Sequence, residues 1–157
     1  MSGASSPLVS GFPTAALLTP AAQQAGRDAL GAYRGMWADW VAVAATSDYQ
    51  DPRLAQHLSG AAFSMVYKAV YLNKSQGLVG RGQPTLSPRV TAATPADNPT
   101  RITVIDCTDD SQWLRYTLDG KPKDDTPGGR HLTEALLLQN AGVWKVDQLL
   151  IQEIGTC

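Results

Sequence analysis

The chain has 157 residues, the length of one ordinary domain. Thirteen basic and 14 acidic residues give a net charge of −1, which excludes a broadly basic nucleic-acid binder and an acidic solvating chain. With 43% hydrophobic and 17% charged residues the chain is too apolar for wholesale disorder, and its longest apolar run, Trp40–Ala45, falls far short of the roughly 20 residues that span a bilayer.

Residues 1–20 carry three prolines, four serines, two glycines and no charge. That composition predicts a flexible N-terminal segment ahead of a single domain over 21–157. The segment lacks a basic n-region, and Ala15–Leu18 is too short for a signal-peptide core. It reads either as a disordered start or as the stalk of an exported protein whose signal is not in this sequence.

A long helix is expected over 21–45, with Thr19 as N-cap and Pro20 beside it. At 100° per residue Leu30, Tyr33, Trp37, Trp40 and Ala44 form one stripe, bordered by Met36 and Val43. Asp51 and Pro52 open a short second helix with Leu54 and Leu58 as its apolar pair. Ser59 caps a third, which carries Phe63, Val66, Tyr67, Val70 and Tyr71 and stops at Gly77. Strand patterns follow. Leu78–Arg81 is short. Thr85–Thr94 contains Pro88 and is expected at an edge or a bulge. Arg101–Cys107 is β-branched, Asp109–Ser111 is a turn, and Gln112–Leu118 is the next strand. Residues 119–129 form a polar loop. Arg130–Gln139 and Val143–Ile154 make a hairpin around Asn140-Ala141-Gly142.

Helices first and strands afterwards is an α+β pattern. Three N-terminal helices are expected on one face of a strongly bent, mainly antiparallel sheet of five to six strands, with a cone-shaped cavity between.

Chemistry is sparse. With a three-residue turn in the last hairpin, Leu132, Glu134, Leu136 and Leu138 share the helix-covered face with Trp144, Val146, Gln148 and Leu150. Glu134 and Gln148 then face one another inside an apolar pocket, where a carboxylate has acid–base potential. Tyr33, Trp37, Trp40 and Tyr67 are either aromatic pocket walls or plain core. His131 is expected on the outer sheet face with Thr133, Ala135 and Leu137, in solvent. His57 and His131 stand in no metal-ligand motif, and Asp106, Asp109 and Asp110 lack the calcium-loop pattern and read as turn formers. No metal and no cofactor is expected. Cys107 and Cys157 either bridge, closing a loop of about 50 residues in an oxidising compartment, or are two unrelated thiols. The outer face, with Val143, Leu149, Ile151 and Leu137 among Lys145 and Asp147, is half apolar and suggests a homodimer. In a simple meander Cys107 and the chain end would lie at opposite ends of the sheet, so a bridge needs another strand order or a tail that curls back.

The segments ITVIDCTDDSQW (Ile102–Trp113) and GVWKVDQLLIQEIGTC (Gly142–Cys157), with the helix-then-strand order, resemble the NTF2-like (cystatin-like) superfamily over about residues 25–157. They are most similar to its small exported or lipid-anchored bacterial members, in which a D-C-x-D segment and a terminal cysteine recur together. The resemblance implies a Cys107–Cys157 disulfide and an extracytoplasmic location, secreted or lipid-anchored. It carries over no catalytic residue, because the superfamily includes isomerases, dehydratases, hydrolases, transport adaptors and secretion components. The first reading is a non-catalytic module that binds a protein partner or a small apolar ligand. The alternatives are a pocket enzyme of isomerase, dehydratase or hydrolase type with Glu134 as acid–base, and a structural component of an envelope assembly.

Overall fold

The computed structural model describes residues 19–123 and 128–157. The expected flexible segment 1–20 thus lies, up to residue 18, outside the described residues, as does part of the polar loop 119–129.

Helix α1 runs Pro20–Ala44. Thr19 caps it as expected, its Oγ1 accepting from the Ala22 amide at 3.0 Å. Pro20 takes a position where its missing N–H costs nothing. The buried face of α1 opens with Ala22, Ala25, Gly26, Ala29 and Ala32 and continues with Tyr33, Met36, Trp37 and Val43. Small residues let its first half approach the sheet closely, and large ones fill the wider space beneath its second half.

Only two α-helices form among the described residues, which corrects the expected three. At the second position Asp51 accepts from the Arg53 amide at 2.9 Å, but a single 3-10 turn, Pro52–Ala55, follows. Sheet pairing stops it. The Val146 amide donates to His57 O at 2.8 Å and the Ser59 amide donates to Val146 O at 2.9 Å. Residues 57–59 must be extended to make these bonds. Leu54 and Leu58 are nonetheless both buried. Helix α2 then spans Gly60–Ser75. Gly77, with φ of 70°, ends it in a conformation that glycine adopts without strain.

Six strands follow: β1 Leu78–Gly82, β2 Arg89–Thr94, β3 Arg101–Asp109, β4 Trp113–Thr117, β5 Arg130–Asn140 and β6 Val143–Ile154. All named pairs are antiparallel. Strands β2-β3-β5-β6 form one sheet, and β1 and β4 form a separate two-stranded ribbon. As expected of the Pro88 region, β2 is an edge strand with a bulge between Val90 and Ala92. Because β4 leaves the main sheet, β3 and β6 run in the same direction on either side of β5. The C-terminal ends of β3 and β6 therefore share one end of the sheet, the strand order that the bridge requires.

The final hairpin departs from the expected register. Asn140 pairs with Val143 across a two-residue turn, Ala141-Gly142, both with positive φ (54° and 82°). This is the turn geometry whose twist matches paired strands. One residue fewer in the turn inverts β5 relative to β6. Thr133, Ala135 and Leu137 face the helices with Trp144 and Val146, whereas Leu132, Glu134, Leu136 and Leu138 lie on the outer face. A bulge beyond Val146 then turns Leu149 and Ile151 inward against the core and leaves Gln148 and Leu150 outside.

The core lies between α1, α2 and the inner sheet face. Tyr33, Met36, Val66, Val70, Ile102, Val104, Leu137 and Val146 are essentially inaccessible there. The space expected as a cone-shaped cavity is, at this level, filled by side chains.

Candidate functional site

Alternation along β3 puts Ile102, Val104, Asp106 and Thr108 on the inner face, all buried. Asp106 therefore sits in the core and is not a turn former. Its Oδ2 accepts from the Tyr33 hydroxyl at 2.7 Å and from the Thr108 hydroxyl at 3.1 Å. Its Oδ1 accepts from the Ser87 amide at 2.6 Å. Three donors replace the water that this carboxylate loses on burial. Burial, and then the Asp106 carboxylate beside it, push the Tyr33 hydroxyl well above the usual tyrosine range. The cluster is sealed, with Tyr33 0% and Asp106 1% exposed. It can anchor α1 to β3, but a substrate does not reach it in this conformation.

The open concavity lies further along α1. Trp40 and Ala44, Ala69, Leu72, Asn73 and Gln76 of α2, Gly80 of β1, and Trp113, Leu114 and Arg115 of β4 enclose a groove of about 580 Å³, with Asp110, Gly128 and Ile154 at its rim. Its aromatic wall is a cluster of packed indoles. The Trp37 and Trp40 rings stack at 5.0 Å, and Trp113 meets Trp40 edge-on at 5.3 Å and Trp37 at 5.8 Å. Gly80 permits this packing, since a Cβ there would come within 3.1 Å of the Ala44 methyl and 3.3 Å of Trp113 Nε1. That indole N–H is buried and has no acceptor among the described residues. At the rim Asp110 Oδ1 accepts from the Gly129 amide at 2.8 Å.

His131 stands behind the rim on the inner side, a correction to the expected solvated position that follows from the inverted β5. Its Nδ1 lies 2.6 Å from Gln152 O, and its Nε2 lies 3.1 Å from Asp110 Oδ2, outside hydrogen-bond geometry. His57 Nδ1 is 2.6 Å from Asp39 Oδ2 and ties the 3-10 turn to α1. Among the described residues no group of three or more His, Cys, Asp or Glu is placed to hold a metal. Asp109 does form the expected turn. Hydrogen bonds from Ser111, its backbone amide first, hold the Asp109 carboxyl below the usual range, and Arg130 adds to the effect.

The six residues singled out as pocket candidates thus separate. Trp40 lines the groove, and Tyr33 and Trp37 lie in the core behind it. Tyr67 stands on the outside of α2. Glu134 and Gln148 do not oppose one another: Glu134 pairs with Leu150, and Gln148 with Leu136. They share a shallow outer depression of about 660 Å³ with Arg101, Thr103 and Met65. The outer face consists of residues other than those expected. Leu137 is fully buried and Leu149 and Ile151 pack on the core, while Leu136, Leu138 and Leu150 take their place outside. Sequence reasoning missed Asp106, although the alternation Ile102, Val104, Asp106, Thr108 contains the signal. It missed Trp113 because only the β1–β4 pairing brings that residue to α1.

Cys107 and Cys157 are joined within the chain, with Cα atoms 5.9 Å apart. The tail crosses β5 to reach β3: the Gly155 amide donates to Arg130 O at 2.8 Å, and Thr156 Oγ1 accepts from the Leu132 amide at 2.8 Å. No helix is long and apolar enough to cross a membrane among the described residues.

No protein-family model matches the chain, and no curated protein matches it in sequence. Solved structures do match in shape. The intermembrane space region of the chloroplast protein ARC6 superposes with a TM-score of 0.56 at 18% identity, covering 80% of this chain and 97% of that one. Aln2 from a Streptomyces species gives 0.53 at 10% identity, with 79% and 89% covered. A variant of Rv3472, a protein of unknown function from Mycobacterium tuberculosis, gives 0.51 at 12% identity, with 87% and 77% covered. At such identities the likeness is one of fold alone, and the fold is the cystatin-like (NTF2-like) one.

Proposed function

We propose that this chain is a non-catalytic, extracytoplasmic binding module, and that the groove walled by Trp40 and Trp113 takes a small apolar ligand or an apolar side chain of a protein partner. The groove itself carries the reading. It is concave, lined by apolar side chains together with Asn73, Gln76, Asp110 and Arg115, and walled on one side by packed indoles. The sealing of Tyr33 and Asp106, and the outer position of Glu134, weigh against pocket acid–base chemistry. The disulfide supports an oxidising compartment. Residues 21–157 are read as one domain.

Titration with an aromatic probe that carries one sulfonate, anilinonaphthalene sulfonate, tests the proposal. Saturable one-to-one binding that quenches tryptophan emission is expected, and Ala69→Trp, which fills the groove, abolishes it. Absence of saturation, or a filled variant that binds as well as the parent, refutes the reading.

A second reading has its own observation. Leu150 and Ile154 are more than half exposed on β6, and Leu150 lies on the outer face with Leu136 and Leu138. Such a face suits a second copy of the chain or an envelope partner.

A further inference from the structure

Helix α2 carries an aromatic stripe on the side away from the core. Val66 and Val70 point inward, whereas Tyr67 and Tyr71 are 36% and 46% exposed. Phe63, Tyr67 and Tyr71 follow at four-residue spacing, about 6 Å per step along the axis. Tyr49 packs on this stripe, meeting Tyr67 edge-on at 5.5 Å and Tyr71 at 5.0 Å, while Phe63 lies 5.9 Å from Tyr67. At 100° per residue Lys74 falls within the stripe and Lys68 borders it, both exposed, with Leu72 48% exposed beyond. Helix α2 contains no carboxylate. The nearest acids in sequence, Asp48 and Asp51, flank Tyr49, and Asp51 is engaged by Arg53 at 2.8 Å.

Exposed tyrosines with apolar bodies and polar tips, flanked by lysines on a helix free of acids, match the boundary of an anionic bilayer. There the rings sit at headgroup level and the ammonium groups meet lipid phosphates. We infer that the α2 face of Phe63, Tyr67, Tyr71, Lys68 and Lys74 docks this domain on an anionic membrane surface. The charge complementarity is local, since the whole chain is nearly neutral at −1. The inference is independent of the groove, which opens between α1, α2 and the β1–β4 ribbon.

Co-sedimentation of the full chain with vesicles tests it, comparing equimolar phosphatidylglycerol and phosphatidylcholine with phosphatidylcholine alone. At about fivefold per lysine, the two lysines predict partitioning about 30-fold stronger on the anionic vesicles, lost at about 0.5 M salt. Lys68→Glu/Lys74→Glu removes the preference. Tyr67→Ser/Tyr71→Ser lowers binding at least tenfold, and Leu118→Ser, at an exposed position just after β4, leaves it unchanged. Far-UV circular dichroism checks that each variant is folded; all these positions are solvent-exposed. Absence of binding to anionic vesicles overturns the inference. So does equal binding by the parent and the lysine variant, or loss of binding with Leu118→Ser alone. Binding to a proline-rich peptide without any binding to vesicles overturns it in favour of a protein partner.

Discussion

Replacing Tyr33 by phenylalanine removes one oxygen and keeps the ring that fills the core beneath α1. The lost atom donates to Asp106 Oδ2 at 2.7 Å. Asp106 keeps the Thr108 hydroxyl and the Ser87 amide, so one of three donors disappears from a carboxylate that water does not reach. A hydrogen bond to a charged group contributes about 1.5–3 kcal/mol. The expected loss for Tyr33→Phe is therefore about 2 kcal/mol, or about 4–8 °C in Tm for a domain of this size. Urea titration followed by tryptophan emission and by far-UV circular dichroism measures it, and an unchanged m-value shows that the denatured state is not the cause. Alkali provides an independent check. Burial raises the folded-state pKa of Tyr33, so the native chain keeps a proton that the unfolded chain releases. Its contribution is complete below about pH 10 and declines as pH rises beyond that, by at most about 1.4 kcal/mol per unit. Tyr33→Phe abolishes that part of the decline. A loss below about 0.5 kcal/mol, well under the range for such a bond, with an unaltered alkaline slope, refutes the idea that this sealed cluster fastens α1 to β3.

Three further outcomes are expected. Cys157→Ser opens a loop of 50 residues and costs about 4 kcal/mol on the chain-entropy account, read as a lower urea midpoint; intact mass after alkylation shows no labelled thiol in the parent until reductant is added. Gly82→Ala places a methyl within 1.9 Å of Gln112 O at a φ of 86°, so it should cost at least about 2 kcal/mol and loosen the β1–β4 ribbon, seen as faster amide exchange at Val79 and Leu114. If the outer sheet face joins two copies, sedimentation equilibrium shows a concentration-dependent mass that Leu150→Arg shifts to the monomer; a strict monomer for the parent ends that reading.

Much of the local structure is legible in the sequence. Thr19 and Pro20 mark the start of α1, Asp51 and Pro52 mark the 3-10 turn, and a β-branched run marks β3, because caps, prolines and side-chain branching act over a few residues. The number of helices is less legible: residues 56–59 have helical spacing, yet bonds to Val146, some 90 positions away, hold 57–59 extended. The inner face of β5 is not legible at all. Leu132, Leu136 and Leu138 on one side outweigh Ala135 and Leu137 on the other, so the alternation points to the face that in the structure lies outside. The two-residue turn at Ala141-Gly142 chooses, and with it sends Glu134 outside and His131 inside, while the bulge beyond Val146 sends Gln148 outside.

The α+β order, the positions of the strands and the pair of cysteines available to close the tail are thus written along the chain. That β4 leaves the sheet to pair with β1 is not; it emerges only on folding. This pairing brings Trp113 against Trp40 to form the groove and lets β3 and β6 finish at the same end of the sheet on either side of β5, so that Cys157, crossing β5, reaches Cys107. The reason is physical. Propensity acts between neighbours in the chain, whereas strand order and register depend on which faces can be buried together, a property of the packed molecule as a whole.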